Sequence, residues 1–230
     1  MKKTMYVIAF VFLASTGAFA ADVIGKVSSI IGDVDLTAIT TGNKIVPRVG
    51  TPLTDDHKIR TGNRSYCELL LNDGTKIFVR EITVLNITGL KLVETDPPTK
   101  MRVLTGKVRI TMKKAFKSRT LVLRTPTAIA GVRGTDFGAI VSKTETRLIV
   151  FEGAVDVANT DREILKSYIV KEKEEVSVKK DAPPTVPRIV PRDVIENWFD
   201  YYEIDGKNRI IIKSRKEEGI IDTILRKKDF

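Results

Sequence analysis

Apolar and polar residues alternate with a period of two through most of this chain. Val108, Ile110 and Met112 interleave with Lys107, Arg109, Thr111 and Lys113, as in a strand with one buried and one wet face. Leu148 and Val150, then Val155 and Val157, continue the alternation on either side of Gly153. From Val23 to about Val178, Val, Ile, Thr and Leu dominate, turn residues recur at short spacing, and no long helical periodicity intervenes. The pattern therefore predicts an all-β body of short strands. Asp73-Gly74, between Leu69-Leu70-Leu71 and Ile77-Phe78-Val79, predicts a tight turn, because both residues accept the backbone angles such a turn demands.

Glycine punctuates these strands. Gly-x-Val occurs at Gly25, Gly32, Gly106 and Gly153, each expected to open a strand. The spacing is too irregular for a strict repeat array. It suggests a β-roll or irregular β-solenoid, with a β-sandwich as the competing architecture. The segment Thr125-Pro126-Thr127-Ala128-Ile129-Ala130-Gly131-Val132-Arg133-Gly134-Thr135-Asp136-Phe137 has the same character: an extended start, an abrupt Arg-Gly-Thr, and a resumed strand. A glycine wedged between strand-like runs marks a bulge or a close backbone approach. It is not a phosphate-binding loop, since no lysine follows the glycine and the spacing fits neither nucleotide pattern.

The pattern changes near Lys180. Residues 181–192 contain Pro183, Pro184, Pro187 and Pro191, and are expected to form an extended, semi-rigid spacer. Beyond it, residues 193–230 should form a short α-containing extension. Asp193 and Glu196 resemble a capping pair, and Val194, Ile195, Trp198, Phe199 and Tyr202 would line one helical face. That aromatic face either docks on the β body or binds a partner. Residues 209–213 could form a short strand, and Ile220, Ile221, Ile224 and Leu225 a final helix.

The first twenty residues read as an export signal. Lys2 and Lys3 precede the short apolar run Met5 to Leu13, and Ala18-Phe19-Ala20 is a small-x-small cleavage site. Removing them leaves 210 residues and lowers the net charge from +10 to +8. No later run is long enough to cross a bilayer as a helix. The expected domains are thus a signal at 1–20, an all-β domain at 21–180, the proline-rich linker and the extension. Cys67 is the only cysteine, so no intrachain disulfide is available. Export suggests a bacterial periplasm and leaves secretion beyond it open.

Candidate chemistry is sparse. His57 is the only histidine and could pair with Cys67 as a nucleophile couple, but Tyr66-Cys67-Glu68-Leu69-Leu70 reads as a strand with a small buried thiol. Acidic residues stand singly, without the spacing of a carboxylate pair or a calcium loop. No catalytic, cofactor or metal site is expected. The strongest bias is the acid-free run Lys100 to Arg124, where Lys107, Arg109, Lys113 and Lys114 belong to a cationic strip. Such a strip faces an acidic protein or an anionic envelope polymer such as peptidoglycan, or else protects a sheet edge from aggregation. Nucleic acid is not expected in an exported chain without interleaved aromatics.

Thr125-Pro126-Thr127-Ala128 with Val132-Arg133-Gly134-Thr135-Asp136-Phe137 resembles the core motif of the FecR domain family. Ile59-Arg60-Thr61-Gly62, Leu71-Asn72-Asp73-Gly74-Thr75, Leu104-Thr105-Gly106-Lys107-Val108 and Phe151-Glu152-Gly153-Ala154-Val155 resemble its other segments, in order. Val27 to Val34 matches its lead-in, so the resemblance runs from about Val23 to Val157. It implies an all-β periplasmic module in which Thr125, Pro126, Arg133, Gly134, Thr135 and Phe137 are structural. The best-known members relay an outer-membrane iron-siderophore signal to a cytoplasmic sigma factor. Neither an anti-sigma segment nor a transmembrane helix is read here, so the implied carry-over is the fold and a non-enzymatic protein-contact role.

Overall fold

The computed structural model describes residues 23–88, 99–112, 121–196, 198, 201–204 and 210–213. The chain order is β1 (Val23–Ile31), β2 (Val34–Ala38), β3 (Lys44–Ile45), β4 (Pro52–Thr54), β5 (Asp56–Thr61), β6 (Tyr66–Leu71), β7 (Lys76–Val79), β8 (Val84–Thr88) and β9 (Thr99–Thr111). It continues with β10 (Leu121–Arg124), β11 (Ala128–Val132), β12 (Asp136–Val141), β13 (Glu145–Glu152), β14 (Ala154–Asn159), β15 (Ser167–Lys171), β16 (Glu174–Lys179) and β17 (Arg188–Ile189). A short helix α1 (Arg192–Glu196) and a hairpin of β18 (Tyr201–Ile204) and β19 (Ile210–Lys213) follow.

Strands β1 to β17 form one continuous hydrogen-bonded sheet, which doubles into two layers. The first runs β4-β1-β6-β7-β9-β12-β13-β16-β17. The second runs β3-β2-β5-β8-β9-β10-β11-β14-β15. Strand β9 belongs to both. Its first part pairs with β8 and β10, and from Gly106 onward it pairs with β7 and β12. Every pairing is antiparallel except β9–β10. The all-β class read from the alternation is present; the parallel stacking of a regular solenoid is not.

The alternation fills the space between the layers. Leu69, Ile77, Ile110, Phe137 and Leu148 from the first layer meet Leu85, Met101, Leu123 and Val157 from the second in one cluster. Each such buried side chain stabilises the fold by about 1.5–3 kcal/mol. The turn at Asp73-Gly74 forms as its sequence demands. Gly74 has φ 79°, its N–H donates to the Leu71 carbonyl, and the Thr75 N–H donates to Asp73 Oδ1.

At three corners where the chain passes between layers, a glycine faces a hydroxyl. Gly32, Gly106 and Gly153 have φ of 77°, 105° and 88°. They lie against Ser65, Thr83 and Thr135 respectively, all buried. Each hydroxyl donates to the carbonyl two residues before it, on Asn63, Glu81 and Arg133. Each also meets the neighbouring corner. Asp33 N–H donates to Ser65 Oγ (2.9 Å) and Lys107 N–H to Thr83 Oγ1 (3.0 Å), while the single Thr135 hydroxyl proton is shared between the Arg133 and Ala154 carbonyls, each 3.0 Å away. Three of the four Gly-x-Val motifs are therefore corners. Gly25 is not; it lies inside β1, where a Cβ would stand 2.5 Å from the Leu70 carbonyl oxygen.

Two expectations for the C-terminal region need correction. The proline-rich stretch is not a free spacer. Arg188–Ile189 pairs with β16, Thr185 N–H donates to the Ser177 carbonyl, and the Asn159 amide holds the carbonyls of Lys179, Lys180 and Ala182. The helix stops at Glu196, with Asp193 inside its first turn. Tyr202 lies in β18, because Tyr-Tyr-Glu-Ile and Ile-Ile-Ile-Lys are strand formers that satisfy their backbones by pairing with each other. Phe199, the proposed signal and the proposed final helix lie outside the described residues.

The corners make a sharp stability prediction. A Cβ at Gly106 would fall 2.2 Å from Thr83 Oγ1 and 2.5 Å from Thr83 Cα, whereas at Gly42 (φ 72°) it meets nothing within 4 Å. Urea unfolding should show Gly42→Ala costing about 1–2 kcal/mol from backbone strain alone. Gly106→Ala should cost about 3–5 kcal/mol, as strain and overpacking combine. Equal costs would mean that the corner contact contributes nothing.

Candidate functional site

The crossing of β9 splits the expected cationic strip between two opposite surfaces. Lys100 and Arg102 point outward from the second layer, Lys107 and Arg109 from the first. Met101 and Val103, then Val108 and Ile110, fill the core between. Lys113 and Lys114 lie outside the described residues. The strip is also not an edge: β9 has neighbours on both sides in each layer. A long strand carrying β-branched residues on its inner face is most stable in the middle of a sheet, where both ladders are satisfied.

On the first layer the cations are covered. Trp198 is 2% exposed and packs against Gly138, where a Cβ would come within 2.5 Å of the indole. The Lys107 ammonium sits 4.1 Å from the centre of the indole ring, and Phe151 packs against it edge-on at 5.6 Å. Arg80 Nη2 donates to the Trp198 carbonyl at 3.0 Å. Arg109 makes a two-point ion pair with Asp136, Nε to Oδ1 at 2.9 Å and Nη2 to Oδ2 at 2.7 Å, between the rings of Phe78 and Phe151. Lys107 and Arg109 thus serve cation–π and bidentate contacts within the chain. Trp198 with Val190 and Ile149 forms a second small core on the outside of the sheet.

The second layer presents the opposite situation. Lys58 and Arg60 on β5, Lys100 and Arg102 on β9, and Arg124 on β10 are all exposed. The register sets Lys58 opposite Asn86, Asn86 opposite Arg102, and Arg102 opposite Arg124. Among the described residues none of these five cations makes a salt bridge. The nearest carboxylate in register, Asp35 opposite Arg60, is held by Lys44 at 2.9 Å. No exposed large apolar residue lies in β5, β8, β9 or β10. Sequence reading missed Lys58 and Arg60, because only the pairing of β5 with β8 brings them to the Lys100–Arg102 row. The clue available was their period-two spacing beside Ile59.

The remaining candidates are structural. Thr125, Thr127 and Thr146 form a buried hydroxyl cluster, with oxygen separations of 2.7 and 2.8 Å, and Thr127 donates to the Val178 carbonyl. Pro126 leads into it, and its carbonyl accepts the Thr160 hydroxyl. Gly134 (φ 58°) and Thr135 make the corner, and Phe137 is fully buried in the core. Arg133 is exposed, and its carbonyl accepts from Thr135. A cleft beside β16 lies between Glu145, Ser177, Glu175 and Arg188, but these groups bind each other.

Cys67 is 1% exposed, and burial, aided by the Glu68 carboxylate, pushes its thiol up to about 12. A protonated, enclosed thiol is a poor nucleophile. His57 accepts the Thr54 N–H at Nδ1 (3.0 Å), and burial lowers its pKa, offset in part by Asp56. His57 pairs in register with Ala38 and Ile87, Cys67 with Ile30 and Val79, so the couple is not assembled. Among the described residues no group of three or more His, Cys, Asp or Glu could hold a metal ion. No helix among them is long and apolar enough to cross a membrane.

Residues 57–156 match the family model described as FecR protein, within the stretch whose motifs resemble that family. Two crystal structures of a proposed anti-sigma factor from Parabacteroides distasonis, at 1.65 and 2.50 Å, superpose with TM-scores of 0.52 and 0.51 at 15% identity. The alignment covers 63% of this chain and 66% of that protein; at this identity the likeness is one of fold. No curated protein matches the chain.

Two measurements follow from the first layer and the thiol. The chain has one tryptophan, so its emission reports the dock directly. Gly138→Ala should shift that emission to the red, toward solvent-exposed indole, while far-ultraviolet dichroism stays native. An unshifted spectrum would show that the indole does not sit on Gly138. The Cys67 thiol, protonated in the fold and ionisable near 9 when unfolded, leaves stability unaffected by its titration below about pH 9. Above that, ionisation favours the unfolded chain, so stability should fall as pH rises toward 12. Cys67→Ser should flatten this decline in urea titrations at successive pH values.

Proposed function

We propose that the chain is a non-enzymatic, signalling-type FecR module of the bacterial envelope, exported to the periplasm, which holds an acidic partner on the outer face of its second layer. The observation that carries this reading is the row of exposed cations on β5, β9 and β10, without carboxylate partners among the described residues. Like charges gathered on one face oppose folding slightly and attract an anion strongly. The fold likeness to the P. distasonis protein and the FecR match support a regulatory setting. The buried, protonated Cys67 and the engaged His57 lend nothing to catalysis.

A second reading uses the same face for a scaffold role on an anionic envelope polymer such as peptidoglycan. Among the described residues, the lack of exposed large apolar side chains in β5, β8, β9 and β10 favours it, since protein hot spots are usually aromatic or apolar anchors. In either case the first-layer cations, Lys107 and Arg109, are internal and the second-layer cations are the contact. Trp198 belongs to the body, not to a detachable partner face.

In-cell photocrosslinking checks the reading. A probe at Lys58 should give an adduct in intact cells, and Arg102→Glu with Arg124→Glu should reduce its yield more than tenfold while the dichroism spectrum is unchanged. Retention of the adduct after both reversals would reject the second-layer face as the contact.

A further inference from the structure

Among the described residues the first layer ends in β4 and β17, and the second in β3 and β15. Three of these edges are closed to further pairing. Strand β3 is two residues long and runs into Pro47, β4 is three residues long and starts at Pro52, and β17 is two residues long between Pro187 and Pro191. Short edges and prolines resist strand addition. Strand β15 is different: it has five residues and no proline, and pairs on one side only, with β14. The Lys171 N–H donates to Glu174 Oε2 at 2.8 Å, so it points away from β14. Backbone direction alternates along an antiparallel ladder, so Ser167 and Ile169 also turn their N–H and C=O groups to the open edge. Ile169 is 64% exposed, and Leu165, just before the strand, 91%. An open edge with exposed apolar side chains is a template for another strand.

The charges beside β15 select the occupant. A two-fold axis at Ile169 lays a second β15 alongside, antiparallel. Ile169 then exchanges two backbone hydrogen bonds with its own copy, and Ser167 faces Lys171 of the second copy. One residue further out, Lys166 stands against Glu172 of the second copy, and the symmetry repeats this ion pair at the other end. Both side chains are exposed and free to turn. The Lys166 ammonium lies 5.2 Å from the Tyr168 ring, and Glu172 meets exposed Lys173 at 3.5 Å. Between Lys166 and Glu172 no like charges meet in this register. Moving the axis to Tyr168 would set Lys166 against Val170 and lose both pairs. We infer that the chain forms a two-fold dimer by adding β15 of one copy to β15 of another, so that the two second layers run on as one sheet. The axis is perpendicular to that sheet, so the cationic faces of both copies lie on the same side and offer a partner two contacts at once. The dimer contact uses none of those cations and does not depend on what they bind.

Sedimentation of the full chain over a range of concentrations tests this. The expected result is a reversible rise in mass to that of a dimer. Ile169→Pro removes an outward N–H without breaking a bond to β14, and should leave a monomer with an unchanged dichroism spectrum. Lys166→Glu keeps the edge but sets it against Glu172, and should weaken the dimer at least fivefold; adding Glu172→Lys should restore it. Oxidation of introduced cysteines reads the register, and Cys67, 1% exposed, does not compete. Hydrogen-bonded residues across a ladder stand about 5.5 Å apart, so Ile169→Cys should link to its copy. Ser167→Cys, about 14 Å from its copy, should not. Arg102→Glu with Arg124→Glu should leave the dimer intact, which separates this result from the fate of the cationic face. A chain that stays monomeric at every concentration, or a dimer that survives both Ile169→Pro and Lys166→Glu, overturns the proposal. So does a charge swap that fails to restore the dimer, or Ser167→Cys linking as readily as Ile169→Cys. A dimer lost with the Arg102 and Arg124 reversals places the interface on the cationic face and overturns it too.

Discussion

The structure depends on the contact between bare glycine backbone and a Ser or Thr hydroxyl at three corners where the chain passes between layers. At Gly32 and Gly106 the neighbouring chain comes so close that a Cβ would intrude on it, and at Gly153 it leaves a Cβ only 3.1 Å from Thr135. The hydroxyls of Ser65, Thr83 and Thr135 close their own turns and also bind the peptide groups of the adjacent corner. The hydroxyl-bearing residues themselves are buried, where an unpaired donor or acceptor costs about 1–3 kcal/mol. One side chain per corner thus satisfies the backbone of two corners. The layers can then stand close enough for their apolar faces to meet in a single core.

The corner at Gly106 also decides the electrostatics. Turning β9 from one layer to the other sends Lys100 and Arg102 to one outer face and Lys107 and Arg109 to the other. The faces then diverge. On the first, Trp198 covers Lys107, and Asp136 grips Arg109 at two points. Half-buried, bidentate pairs of this kind hold their geometry better than flexible surface ion pairs. The proline-rich stretch leads the chain back along β16 to bring Trp198 to Gly138, a seat open because that residue has no side chain.

On the second face nothing of the described chain neutralises the cations. Charges there stay solvated and mutually repelling, which a protein stabilised only for itself would gain by interspersing with carboxylates. This local departure from internal consistency lies on one surface, and such departures concentrate where a molecule contacts something else.

The period-two alternation fixed the class of this protein, since side chains on a pleated strand must point to alternate faces whatever the strand's neighbours. Turn chemistry fixed Asp73-Gly74, and the Gly-x-Val motifs marked three real corners. Sequence alone also disfavoured catalysis at Cys67, because a small thiol inside an apolar strand has no route to a base. It could not say that Gly25 is a mid-strand close approach, or that β9 is central and not an edge. It read the helix too far, through Tyr202, because Val194, Ile195 and Trp198 fit a helical face as well as a docked segment. It could not join Lys58 to Arg102, forty-four residues apart. Alternation is a property of consecutive residues, whereas which strands lie side by side is set by packing and register between distant segments. Only the folded core decided which charges became internal partners and which remained facing outward.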